Sequence, residues 1–242
     1  MKKLAIAVTA VAALTGSAHA ADMPVKARPI APVVTAYNWT GCYVGAGGGY
    51  GMYNQDISFH TEYLREYLGN ETLGGRGWFG TGQVGCDYQV TPSIVIGAFG
   101  DGDFSSIKGT FGHVNGGDVD EKLSWSWAVG GRIGWVALPN LLAYVSGGYT
   151  QAHFDQIDIG SDASFPATTY HGWFLGSGYE YGLSFMPGLF WKTEYRFADY
   201  QAETLFEACV SKQQGCDSND SINSHKYVQT IRSALVYRFN WH

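Results

Sequence analysis

The chain has 242 residues, 33 of them Gly, 16 Tyr and 8 Trp, with 21 Asp plus Glu against 15 Lys plus Arg. Glycine stands at about twice its usual share of roughly 7 %, and charged residues at 15 % fall well below the usual quarter. This balance is the inverse of a disordered chain, and the formal charge of −6 argues against the basic face of a nucleic-acid binder. Many strands with tight side-chain packing are expected, and a helical enzyme domain is not.

The first twenty residues read as an export signal. Lys2 and Lys3 give a positive start, Leu4 to Leu14 an apolar run, and Ala18-His19-Ala20 a small-x-small cleavage site, with the cut expected after Ala20. The apolar run is too short to cross a hydrocarbon core of ~30 Å as a helix, and no other stretch approaches the ~20 apolar residues a membrane helix needs. Residues 21–37 hold three of the seven prolines without periodicity, which reads as an extended periplasmic spacer. Residues 38–242 form the folded domain.

From Asn38 onward apolar residues alternate segment after segment. In 123–136, Leu123, Trp125, Trp127, Val129, Ile133 and Trp135 share one face, and Ser124, Ser126, Ala128 and Arg132 the other. That period of two is a strand. In 172–183, Trp173, Leu175, Tyr179, Tyr181 and Leu183 oppose Gly172, Gly176, Gly178 and Glu180. Leu189, Trp191, Tyr195 and Phe197 oppose Lys192, Glu194 and Arg196; Ile231, Leu235, Tyr237, Phe239 and Trp241 oppose Arg232 and Arg238. Aromatics at the ends of the apolar face, with glycines among charges on the other, fit a barrel whose apolar face meets lipid and whose polar face lines the interior.

Eight such segments occur: 39–50, 78–89, 93–103, 123–136, 141–150, 171–183, 188–198 and 227–241. Each is long enough for a tilted transmembrane strand of ~9–11 residues. The connections near 90–92, 137–140 and 184–187 are short and carry Pro92, Pro139-Asn140 and Pro187, whereas 51–77, 104–122, 151–170 and 199–226 are long. The predicted fold is all-β: an eight-stranded antiparallel transmembrane barrel of outer-membrane type, with short periplasmic turns and long extracellular loops. The facing of 141–150 stays open, because neither of its faces is clearly apolar.

The stretch Tyr37-Asn38-Trp39-Thr40-Gly41-Cys42-Tyr43-Val44-Gly45-Ala46 resembles the first strand of the Omp25/Omp31-type outer-membrane proteins of alphaproteobacteria. The resemblance continues through Gly131-Arg132-Ile133-Gly134-Trp135, Gly172-Trp173, Glu180-Tyr181 and Tyr237-Arg238-Phe239. The Ala-Asp-Met-Pro at residues 21–24 is similar to the family's mature N-terminus. Departures are the four cysteines, with Cys42 where an aromatic is usual, and the ending Asn240-Trp241-His242. The resemblance implies an outer-membrane location, often as an abundant surface antigen, and no established catalysis. Outer-membrane lipid and lipopolysaccharide are then the surroundings, and host or surface ligands stay unnamed. Some relatives bind haemin and others are described as porins.

Motifs with a chemical look have plainer readings. Gly45-Ala46-Gly47-Gly48-Gly49-Tyr50-Gly51 lacks the sixth-position glycine and crossover helix of a nucleotide fingerprint, so close packing in a barrel is expected. Asp101-Gly102-Asp103 lacks the later ligands of a calcium loop, and the acidic run 116–121 reads as solvated loop. His60, His113, His153, His171 and His225 lie in or beside the long loops without ligand-like spacing. A haem-binding surface is thus one alternative, and neither metal nor cofactor is expected. No spacing singles out a Ser, His and carboxylate set, so no enzyme is expected.

The inward positions are more informative. Asp87, Asp101, Arg132, Glu180, Lys192, Glu194, Arg196, Arg232 and Arg238 fall on the lumen face. Charge at membrane depth is costly unless paired, so a salt-bridge ladder is expected. Eight strands enclose just enough room for side chains. A structural plug follows, with a narrow channel as the alternative and a soluble lipocalin-like barrel as a further one. Leu235, Tyr237, Phe239 and Trp241 share a face and resemble the signal read by the barrel-insertion machinery. Of the four cysteines, Cys209 and Cys216 are expected to clasp the last outer loop. Cys42 and Cys86, both on the lipid face near the periplasmic end, are placed to bond across the first two strands; two free thiols acting as small apolar side chains are the alternative.

Overall fold

The computed structural model describes residues 37–59, 72–114, 117–158, 164–206 and 222–240. The expected leader, the expected spacer up to residue 36, His60, Cys209, Cys216 and Trp241 lie outside the described residues. The alternating segments form β1 (Gly41–Phe59), β2 (Thr72–Gln89), β3 (Ile94–Val114), β4 (Gly117–Leu138) and β5 (Leu141–Phe154). A two-strand ribbon, β6 (Ile157–Asp158) and β7 (Ser164–Phe165), precedes β8 (Thr168–Gly182), β9 (Leu189–Phe206) and β10 (Ile222–Asn240). The eight long strands close in the order β1-β10-β9-β8-β5-β4-β3-β2. Each neighbouring pair is antiparallel, including the closing pair β1–β10.

Closure leaves no free edge, so the barrel satisfies its backbone without water. The side chains divide as the period of two requires. Trp125, Val129, Ile133 and Trp135 of β4 face outward, while Ala128 and Arg132 are buried inside. At ~3.4 Å per residue and a tilt of about 40°, the ten residues from Trp125 to Trp135 span about 25 Å, the height of a membrane-barrel belt. Trp78, Phe104, Trp125 and Trp173 mark its loop end, and Tyr88, Trp135, Tyr181 and Tyr237 its turn end. No charged residue stands outward between these collars. The strand left open by its sequence also resolves: Leu142, Tyr144 and Ser146 of β5 point inward, and Val145 is 61 % exposed on the outside.

Two sequence expectations change. Leu123, assigned to the lipid face, is 2 % exposed and lies inside, opposite the equally buried Ile107. The register shifts between Phe104 and Ile107 against β4, and between Leu123 and Trp125 against β5. An unpaired residue there flips the strand's facing, as any one-residue slip must. The hairpins at the loop end also carry strand well past the expected segment ends. The stretch 104–122 lies almost wholly in β3 and β4.

The turn end is tight. Gly188 adopts φ 84° in the β8–β9 turn, which glycine reaches without strain, and its carbonyl accepts from the Arg238 backbone N–H at 2.9 Å. On β1, a Cβ at Gly49 would come within 2.5 Å of the Phe79 ring, and one at Gly47 within 2.5 Å of the Ala234 Cα. The glycine run is thus a place where residues of the two neighbouring strands, β2 and β10, come against the β1 backbone.

Cys42 and Cys86 are directly opposed on β1 and β2 and are joined by a disulfide. At a sequence separation of 44, the bond closes a loop that the chain otherwise leaves long. Non-reducing peptide mapping is expected to recover this pair, and replacing both by Ser to lower stability by about 2–4 kcal/mol. On the outer wall, Val129→Arg or Ile133→Arg is expected to lower stability in lipid bilayers by about 2–4 kcal/mol. An unchanged denaturant midpoint would contradict the membrane-facing assignment.

Candidate functional site: the lumen charge network

The barrel interior is built in tiers. At the turn end, Trp39 lies fully buried against Phe190, with ring centroids 5.1 Å apart, and Tyr37 packs on both. The segment before β1 is held there by the Tyr37 N–H donating to the Pro139 carbonyl at 3.3 Å and the Trp39 N–H donating to Gln89 Oε1 at 3.0 Å. It forms an aromatic floor.

Above the floor, four charges close a ring. Arg132 donates to Asp87 Oδ1 at 2.8 Å and to Glu180, while Arg238 bridges Asp87 at 2.7 Å and Glu180. Both guanidinium groups lie over the Tyr43 ring, at 4.7 and 5.0 Å. The next tier is Lys192, which donates to Gln83 Oε1 at 2.6 Å and lies 3.7 Å from Glu194. Tyr144 donates to Glu194 at 2.8 Å. Arg196 then bridges Glu194 and Asp101, gripping Asp101 through two bonds of 2.9 and 2.7 Å. Arg232 spans Asp101 and Asp103 at 3.1 and 3.0 Å. The nine charged residues expected in the lumen are all buried and fall into two ion-paired clusters, with the Tyr144 ring against Arg132 and its hydroxyl on Glu194 between them.

Three further members were not foreseen. Asp103 continues the inward set of Asp101, and Lys226 continues that of Arg232 past the expected start of the last strand. Glu121 corrects the reading of 116–121 as solvated loop. It lies on β4, points inward and accepts from Lys226 Nζ at 2.7 and 2.8 Å. Extending the period of two beyond each assigned end is the signal that would have found them. Lys226 also donates to Gln55 and sits among the rings of Tyr53, Phe154 and Tyr170, at 5.5, 4.3 and 5.1 Å.

With these three, the described interior holds six buried acids and six buried bases. An apolar tier of Ile107, Leu123, Ala152 and Val228 separates the Lys226–Glu121 pair from the groups below. A void beside Asp101, Asp103, Thr150, Arg196 and Arg232 measures about 20 Å³, room for about one water. The arrangement is suited to holding a tube shut and rigid.

The described histidines are arranged differently. His153 contacts Thr169 at 2.9 Å and stacks on Trp125, His171 contacts the Tyr149 hydroxyl at 2.6 Å, and His225 contacts Asp199 at 2.7 Å. They occupy three strands and have separate partners. Among the described residues, no three His, Cys, Asp or Glu side chains gather as a metal site. The side chains of His60 and His113 lie outside the described residues. Of the C-terminal set, Leu235, Tyr237 and Phe239 share the outward face.

Removing one partner from a buried pair strands the other charge and typically costs about 3–5 kcal/mol. Glu180→Gln is expected to show that loss in equilibrium unfolding. The Glu121→Gln, Lys226→Met double variant is expected to lose less than its two single variants together, the mark of direct coupling. Strict additivity would contradict the pairing.

The chain is 30 % identical over 236 residues to the 31 kDa outer-membrane immunogenic protein of Brucella melitensis, covering 92 % of this chain and 94 % of that one. It is 29 % identical over 189 residues to a 22 kDa outer membrane protein of Rhizobium leguminosarum bv. viciae, covering 78 % and 77 %. No family model matches. Among solved structures, the outer membrane protein OprG of Pseudomonas aeruginosa is similar at a TM-score of 0.48 and 10 % identity, covering 84 % of this chain and 98 % of that one.

Proposed function

Because the chain belongs to the family of the 31 kDa outer-membrane immunogenic protein of Brucella, we propose that it is a non-enzymatic surface protein whose filled barrel anchors and displays the outer hairpins. The observation that carries this reading is the described interior, with six acids balanced by six bases and an aromatic floor at one end. Packing of this kind opposes the continuous water column that conduction needs. In this account the leader is cut after Ala20 and residues 21–36 serve as a periplasmic spacer, Tyr37 of the expected 21–37 belonging instead to the floor of the barrel. The barrel-insertion machinery reads Leu235, Tyr237, Phe239 and Trp241, and Cys209–Cys216 clasps the last outer loop. The protein sits in the outer membrane, as its relatives' names state of them.

The reading is tested in planar lipid bilayers with the refolded mature chain. A quiet baseline is expected at salt and voltage where a water-filled porin gives steps. Reproducible single-channel steps, lost when the barrel is heat-unfolded, would overturn the closed-lumen reading and favour a narrow channel.

A further inference from the structure

The described cations divide into two groups. Six are buried in the lumen. The other three, Arg76, Lys108 and Lys122, all point outward. These three stand in one cross-strand row: Arg76 of β2 is directly opposite Lys108 of β3, and Lys108 is directly opposite Lys122 of β4. Neighbouring strands lie ~4.8 Å apart, so the row spans about 10 Å. Like charges directly opposed across strands destabilise a sheet, so folding alone gives no reason to collect them here. Among the described residues, Lys122 is paired at 3.5 Å with Asp155, and neither Arg76 nor Lys108 has an ion-pair partner. Asp120 lies two residues beyond Lys122 on the same strand, whereas outward Asp56 and Asp199 belong to β1 and β9.

The row lies at a defined height. On each strand it sits two to four residues beyond the aromatic collar: Arg76 above Trp78, Lys108 above Phe104 and Lys122 above Trp125. Trp78 is 71 % and Phe104 80 % exposed. Below the collar, between β2 and β4, the wall thins into a shallow groove of about 320 Å³ lined by Gly82, Val84, Gly100, Gly102, Trp127 and Val129. A Cβ at Gly82 or Gly102 would meet nothing within 4 Å, so internal packing does not require glycine at either position. Cations, then aromatics, then a smooth apolar groove follow one another down the same strands.

We propose that this flank of the barrel is a binding site for a phosphorylated glycolipid of the outer leaflet. The row Arg76–Lys108–Lys122 takes its phosphates, and the groove at Gly82 and Gly102 seats an acyl chain. Several cations within about 10 Å suit a headgroup with more than one phosphate. The groove, at mid-belt and facing outward, makes a lipid the occupant in preference to a soluble anion.

The refolded mature protein in zwitterionic phospholipid nanodiscs is titrated with diphosphoryl lipid A, with the same lipid A stripped of phosphate, and with a soluble sulfated sugar, and bound lipid is read by native mass spectrometry. Diphosphoryl lipid A is expected to bind at least tenfold more tightly than the stripped form. The R76Q/K108Q/K122Q variant is expected to lose at least tenfold in affinity, and the R76K/K108R/K122R variant to retain it. Because the three side chains repel one another, the neutral variant should be no less stable than wild type without lipid A. Gly82→Leu, whose Cβ meets nothing within 4 Å and whose side chain points into the groove, should weaken lipid A binding in a barrel of unchanged heat-modifiability. Equal binding of the neutral variant and wild type would overturn the proposal, as would equal binding of stripped lipid A. So would a sulfated sugar bound as tightly as lipid A, with Gly82→Leu having no effect.

Discussion

Charge inside a membrane-spanning tube has to be matched within the tube. An eight-stranded barrel has room for side chains and little else, so each buried base must find its acid at contact distance. The described chain meets this with equal numbers of each sign, in a ring of Asp87, Arg132, Glu180 and Arg238 and a chain from Lys192 through Glu194, Arg196 and Asp101 to Arg232 and Asp103. Arginine dominates because its flat fork reaches two carboxylates at once, as Arg132, Arg196, Arg232 and Arg238 each do. Tyr43, Phe99, Phe174 and Phe154 supply ring faces against the cations.

That demand explains the composition. Side chains packed inside need space, and Gly49 of β1 leaves it to the Phe79 ring of the neighbouring β2, over which Arg232 lies. The few charged residues of the described belt are turned inward, and aromatics occupy the collars on the outside. The lack of charge on the outer wall and its abundance inside are two consequences of one closed sheet in lipid.

Much of this was legible in the sequence because the side-chain period of two is unambiguous where one face carries Trp or Tyr and the other Arg or Glu. The eight strands, the inward placement of residues such as Arg132 and Glu180, and the shared outer face of Cys42 and Cys86 come from that parity, whereas the direct opposition of the two cysteines depends on a register that the long first loop does not fix. Leu123 was misread because a bulge changes parity without leaving a mark in the pattern. Glu121 and Lys226 were missed because strand beyond the membrane belt loses its apolar face, and the alternation looks like loop. The facing of β5 stayed open because Leu142 and Tyr144, though apolar or aromatic, point inward among charged neighbours. The outward row of Arg76, Lys108 and Lys122 was not visible because all three fall in stretches, 51–77 and 104–122, whose alternation was too weak to be read as strand.

The central claim is that the lumen is a dry, paired network. Hydrogen exchange at the Arg132 and Arg238 side-chain Nε–H groups, followed by NMR on the folded barrel in lipid, addresses it directly. Both protons point at carboxylates, Asp87 and Glu180 respectively. The account predicts resolved Nε–H signals that exchange many times more slowly than those of free arginine at the same pH. Exchange at the rate of free arginine would mean water reaches the ring, and would contradict it.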